Sequence, residues 1–491
     1  MLFNSIEFLF FLPITFLLYW YVFKSYRWQN LLIVVASYVF YGWWDWRFLF
    51  LIALTTFCSY GSGLLLEKYD RRRKIQKYVS AGNIILNLSI LGLFKYYNFF
   101  VQNLDALFSA MGIHLDWVTL NIVLPVGISF YTFQALSYTI DVYQGKIKPT
   151  RHIIDFFAYI CFFPQLVAGP IERATRLLPQ FQSKRYFDYG KAVDGTRQML
   201  WGFFKKMVIA DNCGIIVSQI WDSYQDETAL VLFVGAVLFS VQIYCDFSGY
   251  SDIAIGSARL FGFDLMRNFN YPYISRSIPE FWRRWHISLT TWFRDYVYFP
   301  LGGSRCKRWK TFRNVIIVWV ISGLWHAANW TYICWGLYHA LLLIIYNLLN
   351  VNTKYKEDVA SGRLLPSLKE VAQISFTFLL VVLGRVFSRS RTLSEAIDYF
   401  GSMCDSSLLD VSRSMDIMFS NFALELYMIV PSCLILFVSE WFQRDKQHAL
   451  QFSTGGYVSR YSCVRYGIYV GLLIMIFGLS ITKSEFIYFR F

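Results

Sequence analysis

Three histidines, His286, His326 and His339, lie in or beside apolar stretches of the sequence. His326 stands in the string WVISGLWHAANW between two apolar runs, where an ionisable group is costly and usually faces a cavity or a partner. Its unperturbed pKa is about 6.5 and desolvation favours the neutral form, which is the form that a general base needs. The local sequence alone leaves this role and a structural role, a ring hydrogen-bonded between helices, equally open.

The spacing of the histidines argues against a metal site. On one continuous helix His339 would be rotated about 220° around the helix axis from His326, so the two rings would point to different sides. A helical zinc pair needs i, i+4 spacing. The nine cysteines form no CxxC pair and lie mostly in apolar stretches, as buried, inert thiols do. We therefore predict no metal and a structural role for His339.

His286 lies in a stretch rich in Trp and Arg, PEFWRRWHISLTTWFRDY. Positions 276–313 hold nine Lys and Arg against two acidic residues, a net charge of +7. This composition is typical of a helix at the level of the lipid headgroups, which explains most of the charge. It does not explain why His286 and Asp295 lie among arginines such as Arg284. A site for an anionic acyl carrier or headgroup would explain them.

Two further groups of polar residues interrupt apolar runs. Gln134, Tyr138 and Asp141 share one helical face, and the string CDFSGYSD carries polar residues at 246–252. Interhelical hydrogen bonding is the favoured interpretation for both groups, ahead of direct catalysis. The sequence contains neither a GxxxxGK[ST] nucleotide loop nor a GxSxG elbow, so it gives no support to a nucleotide-binding or serine hydrolase function.

The composition is that of a polytopic membrane protein. Of the 491 residues, 56% are hydrophobic and only 16% are charged, against about 25% charged in soluble domains. A backbone in lipid must satisfy its own hydrogen bonds, so the spans are predicted to be helices. The net charge of +14 fits cytoplasmic loops and anionic headgroups better than nucleic acid.

Apolar runs of suitable length predict eleven spans. They cover about 6–23, 28–45, 47–66, 80–101, 119–140, 228–248, 313–326, 330–350, 371–387, 420–441 and 465–482. The basic loop at 68–77 places the N-terminus outside, with the first span retained. Between the fifth and sixth spans, Pro, Gly and Lys predict a partly re-entrant core around a cavity. We divide the chain into N-terminal helices 1–115, a catalytic core 116–400 and C-terminal helices 401–491.

Long ordered blocks of this sequence resemble the membrane-bound O-acyltransferase (MBOAT) family, especially its bacterial branch. The blocks are LPVGISFYTFQALSYTIDVY, FFPQLVAGPIERA, GFFKKMVIADN, QIYCDFSGYSDIAIG, NFNYPYISRSIPEFWRRWHISLTTWFRDYVYFPLGGSR and SGLWHAANWTYICWGLYHA. They run in order over most of positions 1–400, and the region beyond is only weakly similar. Ala327 departs from the glycine of many relatives and is expected to narrow the site beside His326.

The resemblance implies a ring of about 11–13 helices, some re-entrant or interfacial, around a tunnel or funnel. It also implies that His326 is the catalytic residue and His286 a second functional histidine. For acyl transfer from a thioester to a hydroxyl, His326 would act as general base, while His286, Trp325 or Asn329 would donate hydrogen bonds. Arg284 and Asp295 are expected to contribute to substrate binding.

The family's properties imply a bacterial inner-membrane enzyme that moves an acyl group, expected to be acetyl, toward an exported polysaccharide. Acetyl-CoA is the expected donor substrate, no cofactor is expected to be bound, and an extracytoplasmic acetyltransferase is the expected partner. Two alternatives remain open: D-alanyl transfer from a carrier protein toward teichoic acid, and transport of lipid-linked or acyl material without chemistry. The chain is longer than D-alanyl transferases, which argues mildly against the first.

Overall fold

The computed structural model describes residues 1–114, 119–120, 123–351, 354–355, 357–452, 457–480 and 486. Helices dominate these residues, and no strand occurs among them. The chain forms two compact units, 1–195 with 257–266 and 196–256 with 267–491. The predicted all-α class is confirmed.

The first unit contains nine complete α-helices in the described part of the chain. They are α1 (Ile6–Leu17), α2 (Tyr26–Gly42), α3 (Leu49–Lys68), α4 (Arg73–Leu91), α5 (Tyr97–Ala110), α6 (Ile128–Tyr143), α7 (Ile153–Cys161), α8 (Phe163–Leu166) and α9 (Ala174–Phe181). The helix α6 is buried over nearly all its length, including the polar Gln134, Tyr138 and Asp141.

The remaining helices belong wholly or mainly to the second unit. They are α10 (Tyr189–Phe203), α11 (Asp211–Asp222), α12 (Ala229–Leu260), α13 (Ile278–Arg284), α14 (Ile287–Phe293), α15 (Arg308–His326), α16 (Trp330–Leu348), α17 (Leu368–Arg389), α18 (Leu393–Met403), α19 (Val411–Phe442), α20 (Tyr457–Arg460) and α21 (Ser462–Leu479). Short π-helical segments extend several helices, among them Phe204–Ala210 and Arg294–Tyr298.

Seven helical segments of the described chain are long and apolar enough to cross a membrane. They are Trp46–Lys68, Arg73–Ala110, Ala229–Leu260, Trp330–Leu348, Leu368–Arg389, Val411–Phe442 and Ser462–Leu479. The chain is therefore a multi-pass membrane protein, as predicted. Each of the eleven predicted spans coincides with a helix over most or part of its length. The ring of 11–13 helices and its tunnel stay predictions.

The segment 202–206, too basic for a simple span, lies where α10 passes into the π-helix Phe204–Ala210. Its two lysines are buried and paired with carboxylates of the second unit. Lys205 Nζ lies 2.6 Å from Asp252 Oδ2, and Lys206 Nζ lies 2.7 Å from Asp246 Oδ1. The aspartates of the CDFSGYSD string are thus held in interhelical contacts, in agreement with the interpretation favoured from the sequence.

Candidate active site

His326 is the last residue of α15, beside the sharp turn into α16. Asn329 ends the turn as the N-cap of α16, because its Oδ1 accepts a hydrogen bond from Thr331 N at 3.0 Å. The two helices approach closely because Gly323 faces the Tyr332 carbonyl oxygen and Gly336 faces the Trp319 carbonyl oxygen, with no room for a Cβ. This close contact at the two glycines fixes the position of α15, and with it the position of His326, relative to α16.

His286 lies at a corner between α13 and α14, and its φ of 43° is in the left-handed region. Non-glycine residues rarely adopt this conformation, which persists where the surrounding structure enforces it. Two backbone hydrogen bonds of 2.9 Å hold the corner, from Ile287 N to Asn268 O and from Asn270 N to Arg284 O. The predicted interfacial stretch is therefore two short helices with a buried histidine between them, and His286 is only 1% exposed.

The imidazole rings of His286 and His326 meet in one cavity of the second unit. Their centroids lie 6.5 Å apart with an interplanar angle of 59°. The cavity measures about 200 Å³. Its walls are mainly apolar and aromatic, with the lining residues Trp282, Trp285, His286, Leu289, Thr290, Phe293, Arg294, Tyr298, Val315, Val318, Trp319, Ser322, His326 and Leu343. Two imidazoles in a largely apolar cavity are suited to proton transfer sheltered from water.

Burial controls the protonation of His286, which lies outside the seven candidate spans. Desolvation lowers the pKa of this imidazole from 6.5 to about 3. The ring is therefore neutral over the physiological range. A neutral imidazole keeps one nitrogen lone pair available to accept a proton or a hydrogen bond.

Trp325 packs beside both histidines. Its ring centroid lies 5.0 Å from that of His326 and 6.2 Å from that of His286. The side chain is buried, at 3% exposure. This position lets the indole fix both imidazole rings by contact.

Four of the predicted site residues are not among those that line the cavity in the described chain: Trp325, Asn329, Arg284 and Asp295. Asn329 caps α16 and donates from Nδ2 to the Arg391 carbonyl oxygen at 2.9 Å. Both the oxygen and the nitrogen of its side-chain amide are therefore used in hydrogen bonds to the backbone. This arrangement gives Asn329 a role in holding the α15–α16 turn.

Arg284 and Asp295 lie in ion pairs. Arg284 Nη2 is 3.1 Å from Glu280 Oε1 and 3.0 Å from Asp358 Oδ1, and the arginine is buried. Asp295 Oδ1 is 2.7 Å from Arg294 Nε. Part of the basic charge predicted to face headgroups is thus neutralised inside the second unit, while Arg294, which was not singled out from the sequence, lines the cavity.

His339 packs among the rings of Trp282, Trp319 and Trp335, with centroid distances of 4.9, 5.6 and 5.1 Å. Such an aromatic cage fits the structural role predicted for this histidine. The described residues contain no group of three or more His, Cys, Asp or Glu side chains placed to hold a metal ion.

Besides Arg294, two further residues of the site were missed from the sequence. Ser322 lines the cavity four positions before His326, on the same face of α15. Asn268 lies in the loop before α13 and contacts His286 Nδ1. The i, i+4 spacing to His326 is a sequence signal for Ser322, but no periodic signal marks Asn268.

The amino-acid sequence is similar to those of several known proteins. Residues 148–383 match the membrane-bound O-acyltransferase family. The chain is 43% identical to the "Probable alginate O-acetylase AlgI" of Pseudomonas aeruginosa over 82% of this chain and 75% of that protein. It is 31% identical to the peptidoglycan O-acetyltransferase of Helicobacter pylori over 100% of this chain and 98% of that protein.

A third relative, the teichoic acid D-alanyltransferase of Bacillus subtilis, is 31% identical over 48% of this chain and 62% of that protein. The blocks that carry His286 and His326 both lie within the matched range 148–383. The chain belongs to the membrane-bound O-acyltransferase family and is an acyltransferase.

Proposed function

We propose that this protein transfers an acetyl group from a cytoplasmic thioester, acetyl-CoA, toward an exported polysaccharide, with His326 as the general base. The observation that carries the proposal is the convergence of His326 and His286 on one largely apolar cavity. The relatives named as acting on alginate and peptidoglycan support a polysaccharide acceptor. An inner-membrane location and an extracytoplasmic acetyltransferase that completes the transfer belong to the same proposal.

The reaction requires a hydroxyl oxygen to attack the thioester carbonyl carbon. A C–O bond forms and the C–S bond breaks, so the products are an ester and a free thiol. His326 takes the hydroxyl proton during attack and returns it to the departing thiolate. General base catalysis of this kind contributes typically about 10²–10⁴-fold to the rate.

The cavity suits a small acyl group on a thioester arm. Its volume of about 200 Å³ accommodates an acetyl group with the end of the arm. Arg294 lines the cavity with its side chain 51% exposed and is paired with Asp295, so it adds N–H donors to the otherwise largely apolar walls. The largely apolar walls offer few hydrogen-bond partners to water, which would otherwise hydrolyse the thioester.

D-alanyl transfer from a carrier protein is the second candidate, favoured by the match to a teichoic acid D-alanyltransferase over 48% of the chain. The peptidoglycan O-acetyltransferase aligns over the whole chain, which favours acetyl. A non-catalytic transporter loses its support, because the chain belongs to an acyltransferase family.

The test uses proteoliposomes of the full chain, supplied with radiolabelled acetyl-CoA or with D-alanyl carrier protein. Wild type, His326→Ala and the matched control His152→Ala, at an exposed histidine of the first unit, are compared. We expect acetyl label on the polysaccharide or partner protein with wild type and control, and its loss with His326→Ala. Equal labelling by His326→Ala would contradict the role of His326, and labelling from the carrier alone would establish the D-alanyl reaction instead.

A further inference from the structure

The side chain of Asn268 joins α12 to the corner that carries His286. Asn268 is fully buried, at 0% exposure. Its Nδ2 donates to Ser251 Oγ at 3.1 Å, on α12. Its Oδ1 accepts from Ser288 N at 3.3 Å and from Ser288 Oγ at 2.8 Å, and lies 3.0 Å from His286 Nδ1. Every polar atom of this amide therefore has a partner.

These contacts fix the orientation of the amide. A backbone N–H only donates, so the Asn268 atom that faces Ser288 N must be the oxygen. The same oxygen faces His286 Nδ1, and an amide oxygen only accepts. The hydrogen of the neutral imidazole must therefore reside on Nδ1, which leaves the lone pair on Nε2.

The other edge of the ring lacks such a partner. Nε2 of His286 is buried and has no hydrogen-bond partner among the residues that the structure describes. His286 nevertheless lines the cavity that it shares with His326. A buried nitrogen lone pair without a partner is costly unless a ligand supplies a donor.

We propose that Asn268 is a positioning residue that holds His286 as the Nδ1–H tautomer, so that Nε2 accepts a hydrogen bond from an N–H or O–H group of the bound substrate. This inference rests on the proposed acyl transfer. It replaces the oxyanion-donor role expected for His286, because an unprotonated Nε2 has no hydrogen to donate. The backbone bond from Ile287 N to Asn268 O, at 2.9 Å, helps to hold the same corner in its left-handed conformation.

A double-mutant cycle separates positioning from a merely structural role. We expect Asn268→Ala to lower kcat about 10–100-fold in the wild-type background and less than about 2-fold in a His286→Ala background. The control Ser251→Ala removes only the acceptor of Nδ2 and is expected to have a smaller effect than Asn268→Ala. An equal loss from Asn268→Ala in both backgrounds would overturn the proposal.

A second measurement does not depend on acyl transfer. Asn268→Asp places a carboxylate against Nδ1–H, which favours the protonated ring. Hydrogen–deuterium exchange at the imidazole C2 of His286, followed by mass spectrometry against pH, is expected to show no midpoint above pH 5 in wild type and a midpoint at least one unit higher in Asn268→Asp. Identical profiles would refute the contact. Absence of acyl transfer in wild type with a shifted profile would instead reject the proposed function and keep the tautomer assignment.

Discussion

The imidazole rings of His286 and His326 face one cavity with their centroids 6.5 Å apart, although one lies at a corner between two short helices and the other at the end of α15. Trp325 contacts both rings, and the glycine contact between α15 and α16 sets the position of His326. The site therefore depends on backbone features as much as on the two histidines.

Protonation of His286 is expected to couple stability to pH. Burial lowers its pKa to about 3, whereas the unfolded chain has a value near about 6.5, so the unfolded state binds the proton first. The stability associated with the neutral ring is fully present above about pH 6.5 and is lost as the pH falls toward 3.

The coupling amounts to about 2 kcal/mol at pH 5. Thermal unfolding of the purified protein in detergent, at pH 8 and pH 5, measures it. The variant His286→Asn lacks the titrating group and is expected to lose less stability between the two pH values. An equal loss in variant and wild type would show that His286 does not titrate on unfolding.

The close approach of α15 and α16 is expected to be intolerant of side chains. In Gly323→Ala the new Cβ meets the Tyr332 carbonyl oxygen, and in Gly336→Ala it meets the Trp319 carbonyl oxygen. Each change is expected to cost about 1–3 kcal/mol and to lower activity, because the helix that carries His326 must shift. Gly467→Ala on α21, with open space around its Cβ, is the control and should be neutral or slightly stabilising. Unchanged activity and unfolding temperature in Gly323→Ala would contradict the account.

The buried cation Lys206 is expected to contribute strongly to the stability of the folded protein. Its Nζ lies 2.8 Å from Asp211 Oδ1 and 2.7 Å from Asp246 Oδ1, and all three side chains are buried. Lys206→Met would leave two buried carboxylates facing each other, at a cost of about 3–5 kcal/mol. The exposed pair Arg391–Asp222 provides the control, because breaking it costs about 1 kcal/mol or less. Similar unfolding midpoints for Lys206→Met and Asp222→Ala would contradict the expected difference in stability between the buried and the exposed ion pair.

Direct transfer to the acceptor predicts a limited role for Ser322. This serine lines the cavity on the same helical face as His326, so a covalent acyl-serine is the competing mechanism. We expect Ser322→Ala to retain at least about a tenth of the wild-type rate, since no bond to its oxygen forms during direct transfer. Acid-stable acetyl label on the peptide that contains Ser322 in wild type, together with loss of transfer in the variant, would establish the covalent route.

Sequence patterns predicted those elements of the molecule that a local pattern of residues marks along the chain. Apolar runs located α15 and α16, and the break near Asn329 follows from a residue that caps helices well. The corner at His286 was not predictable, because its left-handed backbone is enforced by bonds to the distant Asn268 and Asn270. For the same reason the amphipathic pattern suggested a surface position for a histidine that tertiary packing buries.

The ion-pair and hydrogen-bond partners of the polar residues were also not predictable from the sequence. Arg284 and Asn329 have the types expected of substrate-binding groups, but their ion pairs and capping bonds depend on which chain segments fold against them. Asn268 carries no periodic or motif signal of its own. Its contact with His286 arises only in the folded second unit.

The base role of His326 is tested most directly by the initial rate of acetyl transfer in His326→Gln, a substitution of similar size without a titrating nitrogen. We expect a rate at least about 100-fold below wild type, with an unchanged thermal unfolding midpoint. A rate within about twofold of wild type in the folded variant would contradict the assignment of His326 as the general base.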